Sequence, residues 1–312
     1  MAAFVCSMPL TASSKGNNVR VLYWNIQNGM WSDQENNYDN FVEYVKSFDP
    51  DICVWAECKS HYKSHSVEKF PDDGSLYLPA HWAELAARYG HKYVYVGGER
   101  DFYPQAVTSK YPIKNVARIL GEEPDMIVSH GAGWCRVTVK GKTFNIVTVH
   151  TWPQKYGLNV PEDKRQESSR NHEGDRFRRT EMEYICQHTI LTEPKAESQY
   201  WMMLGDFNSR ARVDNYHYKY PENDTRFLVH DYITSSTPYF DVVAEMYPGD
   251  FQKTHINGAR IDYVYCTQPL YSHVKEVKVL RDGWAANIKD PQGLSNFCHP
   301  SDHYPILIDF SF

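Results

Sequence analysis

Short apolar runs recur along the chain, and most of them close on a polar side chain. Residues 19–26 (VRVLYWNI), 52–56 (ICVWA), 93–96, 106–109, 134–139, 144–150, 200–204 and 260–266 are rich in β-branched and aromatic residues and predict strands. A further apolar run after His303 predicts the last one. The segments 134–139 and 144–150 flank Lys140-Gly141-Lys142, a glycine-containing turn that predicts a hairpin. Between the strands the period changes. Residues 39–48 place Phe41, Tyr44, Val45 and Phe48 on one helical face and stop at Asp49-Pro50-Asp51. Residues 82–89 predict a second helix, capped by Gly90, and 181–190 a third that leads into the 200–204 strand. Residues 161–179 are polar and mixed in charge, and 215–237 form a Tyr-rich connection of weak periodicity; both read as loops.

The polar residues that end these runs carry the candidate chemistry. Asp206 and Asn208 follow the 200–204 run two residues apart, which puts both on one face of an extended chain. Asn25 ends the first strand, Glu57 the second, and His150 the hairpin's second arm. Asp262 stands near the start of the 260–266 strand, and Asp302 and His303 just before the last. Each has an ordinary reading: a turn-forming Asn or Asp, a surface ion pair for Glu57, a hydrogen-bonded core histidine for His150. Together they make four carboxylates, two amides and two imidazoles. Oxygen donors without thiolate suit Mg²⁺, with Mn²⁺ as the alternative, better than zinc. Such a set fits metal-assisted hydrolysis of a phosphoester. There is no nucleophile elbow, phosphate-binding glycine loop or dinucleotide fingerprint. Arg176 and Arg179, in the 161–179 segment, read either as solvated residues or as guanidinium forks over a phosphate. Trp152 stands beside His150, and with Trp31 and Tyr156 it is either a stacking surface for a base or sugar or a core aromatic. His61 and His65 are expected to be exposed.

Composition bounds the rest. The 312 residues, 42% hydrophobic, are enough for one large core, and no low-complexity linker divides them, so 19–312 is expected to be a single domain. A net charge of −6 excludes a polycationic coat for nucleic acid, but not an enzyme that brings its own cation to a phosphate. The seven cysteines form no CxxC pair and most sit in apolar runs, so they are expected to behave as small buried hydrophobes. Residues 1–18 read as a tail or the remnant of a signal peptide, which favours an extracytoplasmic (secreted or periplasmic) location over a cytoplasmic one. No later segment is long and apolar enough to span a membrane, and the chain is expected to act as a monomer.

The ordered set WNIQNG (24–29), WAE (55–57), VHTW (149–152), GDFNSR (205–210), RIDYVY (260–265) and SDHYPI (301–306) resembles the endonuclease/exonuclease/phosphatase superfamily. That family includes DNase I-like nucleases, abasic-site endonucleases, sphingomyelinases and inositol phosphatases. The resemblance implies an α/β fold: a four-layer α/β/β/α sandwich of two mostly antiparallel sheets flanked by helices. It implies a Mg²⁺ site at Glu57, Asn25 and Asp302, and an attacking water positioned by Asp206 and oriented by Asn208. It implies that His303, held by Asp262, contacts the scissile phosphate and that His150 donates to a non-bridging or leaving oxygen. Trp152, Arg176 and Arg179 are the candidate substrate contacts. The implied partner is a phosphate ester, with nucleic acid among the candidates. Two positions depart from the pattern. Ala56 stands where the family usually has Gln, and Ala259-Arg260-Ile261-Asp262 is unlike the Cys-Asp-Arg signature of inositol 5-phosphatases. The competing expectation is a catalytically silent member that acts as a binding or scaffold protein.

Overall fold

The computed structural model describes residues 17–71, 78–98, 100–101, 103–121, 128–289 and 298–312. Residues 1–16 of the expected tail, Cys6 among them, lie outside the described residues. The first strands are β1 (Asn18–Asn25), β2 (Ile52–Ala56), β3 (Tyr93–Val96), β4 (Ala106–Ser109) and β5 (Ile113–Ile119). The hairpin β6 (Ala132–Val139) and β7 (Lys142–His150) follows, then β8 (Tyr200–Asp206), β9 (Tyr239–Asp241) and β10 (Asp262–Thr267). The chain ends with β11 (Val274–Val279), β12 (Ile288–Lys289), β13 (Cys298–His299) and β14 (Ile306–Ser311).

These strands build two six-stranded sheets, β11-β14-β1-β2-β4-β3 and β5-β6-β7-β8-β10-β9, while β12 and β13 pair apart. Each large sheet contains one parallel pair, β1 with β2 and β7 with β8, and is otherwise antiparallel. Alternation along the strands makes the layers. Val21, Tyr23 and Val54 share the core between the sheets with Ile146, Met202, Leu204 and Val264. Their neighbours Leu22, Trp24, Cys53 and Trp55 turn outward against Phe41 and Val45 of helix Asp39–Phe48 and Trp82 and Leu85 of helix Leu78–Arg88. On the far side Val147, Val149, Trp201 and Met203 pack under Met182 and Ile185 of helix Glu173–Gln187 and Val229 and Ile233 of helix Leu228–Ser236. Strands covered on both faces have no polar side to show, which is why the sequence runs are so uniformly apolar. The four-layer sandwich is the expected one.

Several local expectations are corrected. Residues 161–179 are not a loop: they form helix Arg165–Arg170 and the start of helix Glu173–Gln187. The buried face of the longer helix includes Gly174, Asp175, Arg178 and Glu181, so an apolar-only period hides its first half. The 215–237 connection likewise contains helix Leu228–Ser236. Strands β5 and β11 are edge strands whose registers shift between Asn115 and Ala117 and between Val274 and Glu276. A bulge breaks the two-residue alternation that would mark them in the sequence. His61 is buried rather than exposed, because its N–H donates to Asn28 Oδ1 at 2.7 Å and folds the loop inward. His65 is half-buried with its ring 4.9 Å from that of Trp31. The six cysteines at 53, 58, 135, 186, 266 and 298 are buried, as expected.

Candidate active site

Strand register gathers the polar strand ends at one pole. The parallel pair β1–β2 sets Asn25 opposite Ala56, so Asn25 and Glu57 leave the first sheet together. The parallel pair β7–β8 sets His150 opposite Asp206 in the second. Antiparallel β10 begins with Asp262 opposite Asp206. Antiparallel β14 pairs Ile306 with Tyr23, which returns Asp302 and His303 to the end of β1. Close approach is needed between β7 and β8, and Gly205 provides it: a Cβ there would collide with the Val149 carbonyl. A cleft of about 700 Å³ opens over this pole, lined among others by Glu57, His150, Asp206, Asn208, Asp302 and His303.

Asn25 sits at the centre of the cluster. Its Nδ2 donates to Asp206 Oδ2 at 3.2 Å and to Glu57 Oε1 at 3.3 Å, and lies 3.4 Å from His303 Nε2. The carbonyl oxygen expected to face a cation instead accepts from the Gln27 N–H at 3.0 Å. Glu57 also accepts the Asn28 N–H at 3.0 Å. Asn28 and Asn25 thus orient the carboxylate, the service expected of an amide at position 56. Ala56 itself packs into the core between the sheets.

His303 Nδ1 lies 2.7 Å from Asp262 Oδ2, and the other Asp262 oxygen accepts the Tyr23 hydroxyl at 2.7 Å. The free edge of the ring, Nε2, faces Asp206 Oδ2 at 3.6 Å and Asp302 Oδ1 at 3.7 Å. Burial opposes charge on this ring, but Asp262, Asp302 and Asp206 outweigh it and hold its pKa well above the ordinary histidine value. Burial, only partly offset by His303, pushes Asp206 up to about 7, and Asp262 adds to the rise. Burial, then the neighbouring charge of Asp302, raises Glu57 as well. Burial would also raise Asp302, but His303 and His255, the latter 3.4 Å away, hold it below the usual carboxylate range. Asn208 adopts a left-handed backbone (φ 44°), its N–H donating to Asp206 Oδ1 at 2.9 Å and its Nδ2 to the Thr151 carbonyl at 3.0 Å.

His150 faces the same carboxylates, Nε2 lying 3.8 Å from Asp206 and 3.9 Å from Glu57. Burial, then the neighbouring His130, pushes its pKa well down. His130 carries little signal in the sequence pattern, because it stands before a strand and the run ahead of it, Met126-Ile127-Val128, is too short to predict one. Its ring lies 4.3 Å from that of His150 and its Nδ1 2.6 Å from Asp101 Oδ2. Burial again opposes the charge, and Asp101 outweighs it, so the His130 pKa is raised. Glu181 fixes this wall, accepting the Ser129 N–H and hydroxyl at 2.7 and 2.6 Å and the Trp152 N–H at 2.9 Å.

Of the expected substrate contacts, Trp152 and Tyr156 line the cleft half-buried, while Trp31 is fully buried. Arg176 and Arg179 are not among the cleft-lining residues. Arg179 pairs with Glu183 at 2.6 Å and lies over the Tyr232 ring, and Arg176 is exposed. A helical period turns residues three apart along the same face away from the cleft, where a loop would have left them free to reach it.

The carboxylates fit a hard divalent cation. Burial, compounded for Glu57 by Asp302 and for Asp206 by Asp262, raises both groups, and a cation would relieve that strain. Among the described residues, His255, Asp302 and His303 present ligand atoms within 4.8 Å of one another, as do Asp206, Asp262 and His303.

No curated protein matches the chain in sequence. Solved structures share the fold at low identity. An AP endonuclease from Archaeoglobus fulgidus is 17% identical with a TM-score of 0.59, covering 94% of this chain and 100% of that one. The 3′ phosphatase NExo from Neisseria, bound to a product DNA hairpin, is 18% identical with a TM-score of 0.57 over 94% and 100% of the two chains. The human Nocturnin catalytic domain is 16% identical with a TM-score of 0.56 over 95% and 93%. The sequence model of one family matches residues 22–303. With that span taking in most of the chain and all of the polar residues gathered in the cleft, the chain belongs to the Endonuclease/Exonuclease/phosphatase family, whose named activities all hydrolyse phosphate esters.

Proposed function

We propose that this chain is a Mg²⁺-dependent phosphoester hydrolase in which water attacks phosphorus in line with the leaving oxygen. One observation carries the reading: His303, held by Asp262, and His150 both bring Nε2 to Asp206 Oδ2, at 3.6 and 3.8 Å, in a single cleft. Glu57 and Asp302 would hold the cation, with Asn25, which donates to Glu57 and Asp206, orienting the Glu57 carboxylate. Bound there, it would neutralise charge on the phosphate and favour its attack.

The chain's own residues do the rest. A carboxylate held near neutrality is suited to accept a proton from the attacking water, and Asp206 has that character. Asn208, fixed by Thr151, orients the water beside it. His303 is held as imidazolium by Asp262 and stabilises negative charge developing on the phosphoryl oxygens. His150 is neutral at rest, and an anionic phosphate arriving at Nε2 favours its protonated form, which then gives a proton to a phosphoryl or leaving oxygen. Trp152 and Tyr156 offer aromatic faces to the organic part of the ester. A nucleic-acid strand is among the candidates for that part.

The test is a matched assay in Mg²⁺ and in EDTA of the wild type and Asp206→Ala. Supercoiled plasmid, a single-stranded oligonucleotide and small phosphate mono- and diesters serve as substrates. EDTA-sensitive turnover that drops about 10²–10⁴-fold in the variant is the expected result. Turnover indifferent to EDTA, or unchanged in Asp206→Ala, sinks the mechanism.

A further inference from the structure

A second recess, about 530 Å³, adjoins the cleft and shares Pro153, Asn208, His255 and Ile261 with it. Its own lining is basic: Lys155, His172, Arg178, Arg210 and Arg226 against the single carboxylate of Asp175. Three of these groups already have partners. Arg178 donates to the Trp152 and Gln154 carbonyls at 2.7 and 2.9 Å and pairs with Asp175, so it braces the wall between the two hollows. Both arms of Arg226 hold Asp224, at 2.7 and 2.8 Å. His172 lies 3.6 Å from Asp175.

Arg210 and Lys155 differ. Among the described residues neither has a carboxylate within ion-pair distance. Among the described residues the Arg210 side chain makes one hydrogen bond, a long one of 3.4 Å to the neighbouring Ser209 carbonyl, and its buried Nε has no hydrogen-bond partner. A buried donor left unpaired is costly and marks a place where an acceptor belongs. The backbone N–H of Arg210 donates to the Arg226 carbonyl at 3.1 Å, which fixes the start of the side chain, and the guanidinium lies over Tyr218, which stacks on Tyr220 beneath Arg226. A guanidinium with an unpaired buried donor and an uncompensated lysine lining the same recess offer the charge and the hydrogen-bond donors that a phosphate takes. Arg210 stands two residues after Asn208, within about 7 Å along the backbone.

We propose that this recess binds a second phosphate of the substrate, next to the one that is hydrolysed. The inference rests on the phosphoester-hydrolase reading for the identity of the first phosphate. It narrows the substrate class to esters carrying a further phosphate about one sugar unit away, such as a nucleotide strand or a sugar bisphosphate.

The test compares ligands that differ only in the second phosphate. Calorimetry in Mg²⁺ measures binding of thymidine 3′,5′-bisphosphate against thymidine 5′- and 3′-monophosphate, with phosphate release followed separately. Wild type should favour the bisphosphate at least about tenfold, and Arg210→Ala should reduce that preference toward unity. Lys155→Ala, at an exposed position where folding is not at stake, should reduce it severalfold. A matching preference for fructose 1,6-bisphosphate over fructose 6-phosphate assigns the recess to any neighbouring phosphate; its absence assigns it to a nucleotide. Equal affinity of the wild type for mono- and bisphosphates, or a preference that survives both variants, overturns the proposal. A preference lost in Arg210→Ala, with no turnover of plasmid, oligonucleotide or small phosphate mono- and diesters, leaves the recess standing and removes the hydrolase reading instead.

Discussion

Asp262 accepts the Tyr23 hydroxyl through one oxygen and holds His303 through the other, so its geometry is fixed on both sides. Its charge stabilises the imidazolium. Asp262→Asn keeps the shape and removes that charge, so the His303 pKa must fall. The ring then loses its proton at lower pH, and the basic limb of the pH–rate profile moves toward acid by about one unit or more, each unit being about 1.4 kcal/mol. An unmoved basic limb with intact folding would show that His303 does not set it. The pair His130 and His150 makes an opposite prediction. The charge of His130 is one of the causes, after burial, that depress His150. His130→Asn should therefore raise the His150 pKa, and an imidazole titration followed by NMR in both proteins reads the shift directly. A fall in that pKa would mean that Asp101 governs both rings.

At the scale of elements, the site depends on how β7 and β8 lie together. Their parallel register brings His150 opposite Asp206, and Gly205 is the residue at which the two backbones come closest. Gly205→Ala forces a methyl against the Val149 carbonyl, in a layer buried on both faces where neither strand can retreat. The expected cost is about 3 kcal/mol, measured by denaturant titration, because overpacked cores lose stability on that order. Turnover should fall together with stability, since any shift of β8 moves Asp206. A variant as stable as the wild type would show that the strands separate more easily than this packing implies. Helix Glu173–Gln187 contributes in a different way. Its buried Glu181 is bonded to the loops that carry His130 and Trp152, so a polar residue facing inward from the helix positions one wall of the cleft.

For the whole molecule, the acid limit of stability is set in part far from the cleft. His91 is fully buried in the first sheet's outer layer, Nδ1 2.8 Å from Thr108 Oγ1 and Nε2 2.8 Å from the Pro50 carbonyl. Burial pushes its pKa down from 6.5 to about 4. The folded state therefore binds the proton less readily than the unfolded chain does. The contribution of His91 is complete above pH 6.5, and it falls as pH drops toward 4, by about 3 kcal/mol in all. Unfolding free energies measured across that window should show the decline in the wild type and a flatter profile in His91→Gln. An equal slope in both would place the acid sensitivity in other groups.

By itself the sequence determined most of the layers and the members of the central cluster. Strands covered on both faces must be apolar along their length, and a carboxylate, amide or imidazole at the end of such a strand stands out against that background. Asn25, Glu57, His150, Asp206, Asn208, Asp262, Asp302 and His303 are legible for this reason. Tertiary structure alone decided which residues join them. His130 and His255 reach the cleft through register and loop closure between distant segments, with no local pattern to mark them. Arg176 and Arg179 were drawn aside by a helix whose polar buried face conceals its period. Arg210 and Lys155, 55 positions apart in the sequence, come to line one recess only when the Asp206 strand end and the loop after His150 close on it. Periodicity reports which face of an element is buried, whereas the meeting of two surfaces depends on packing over the whole molecule.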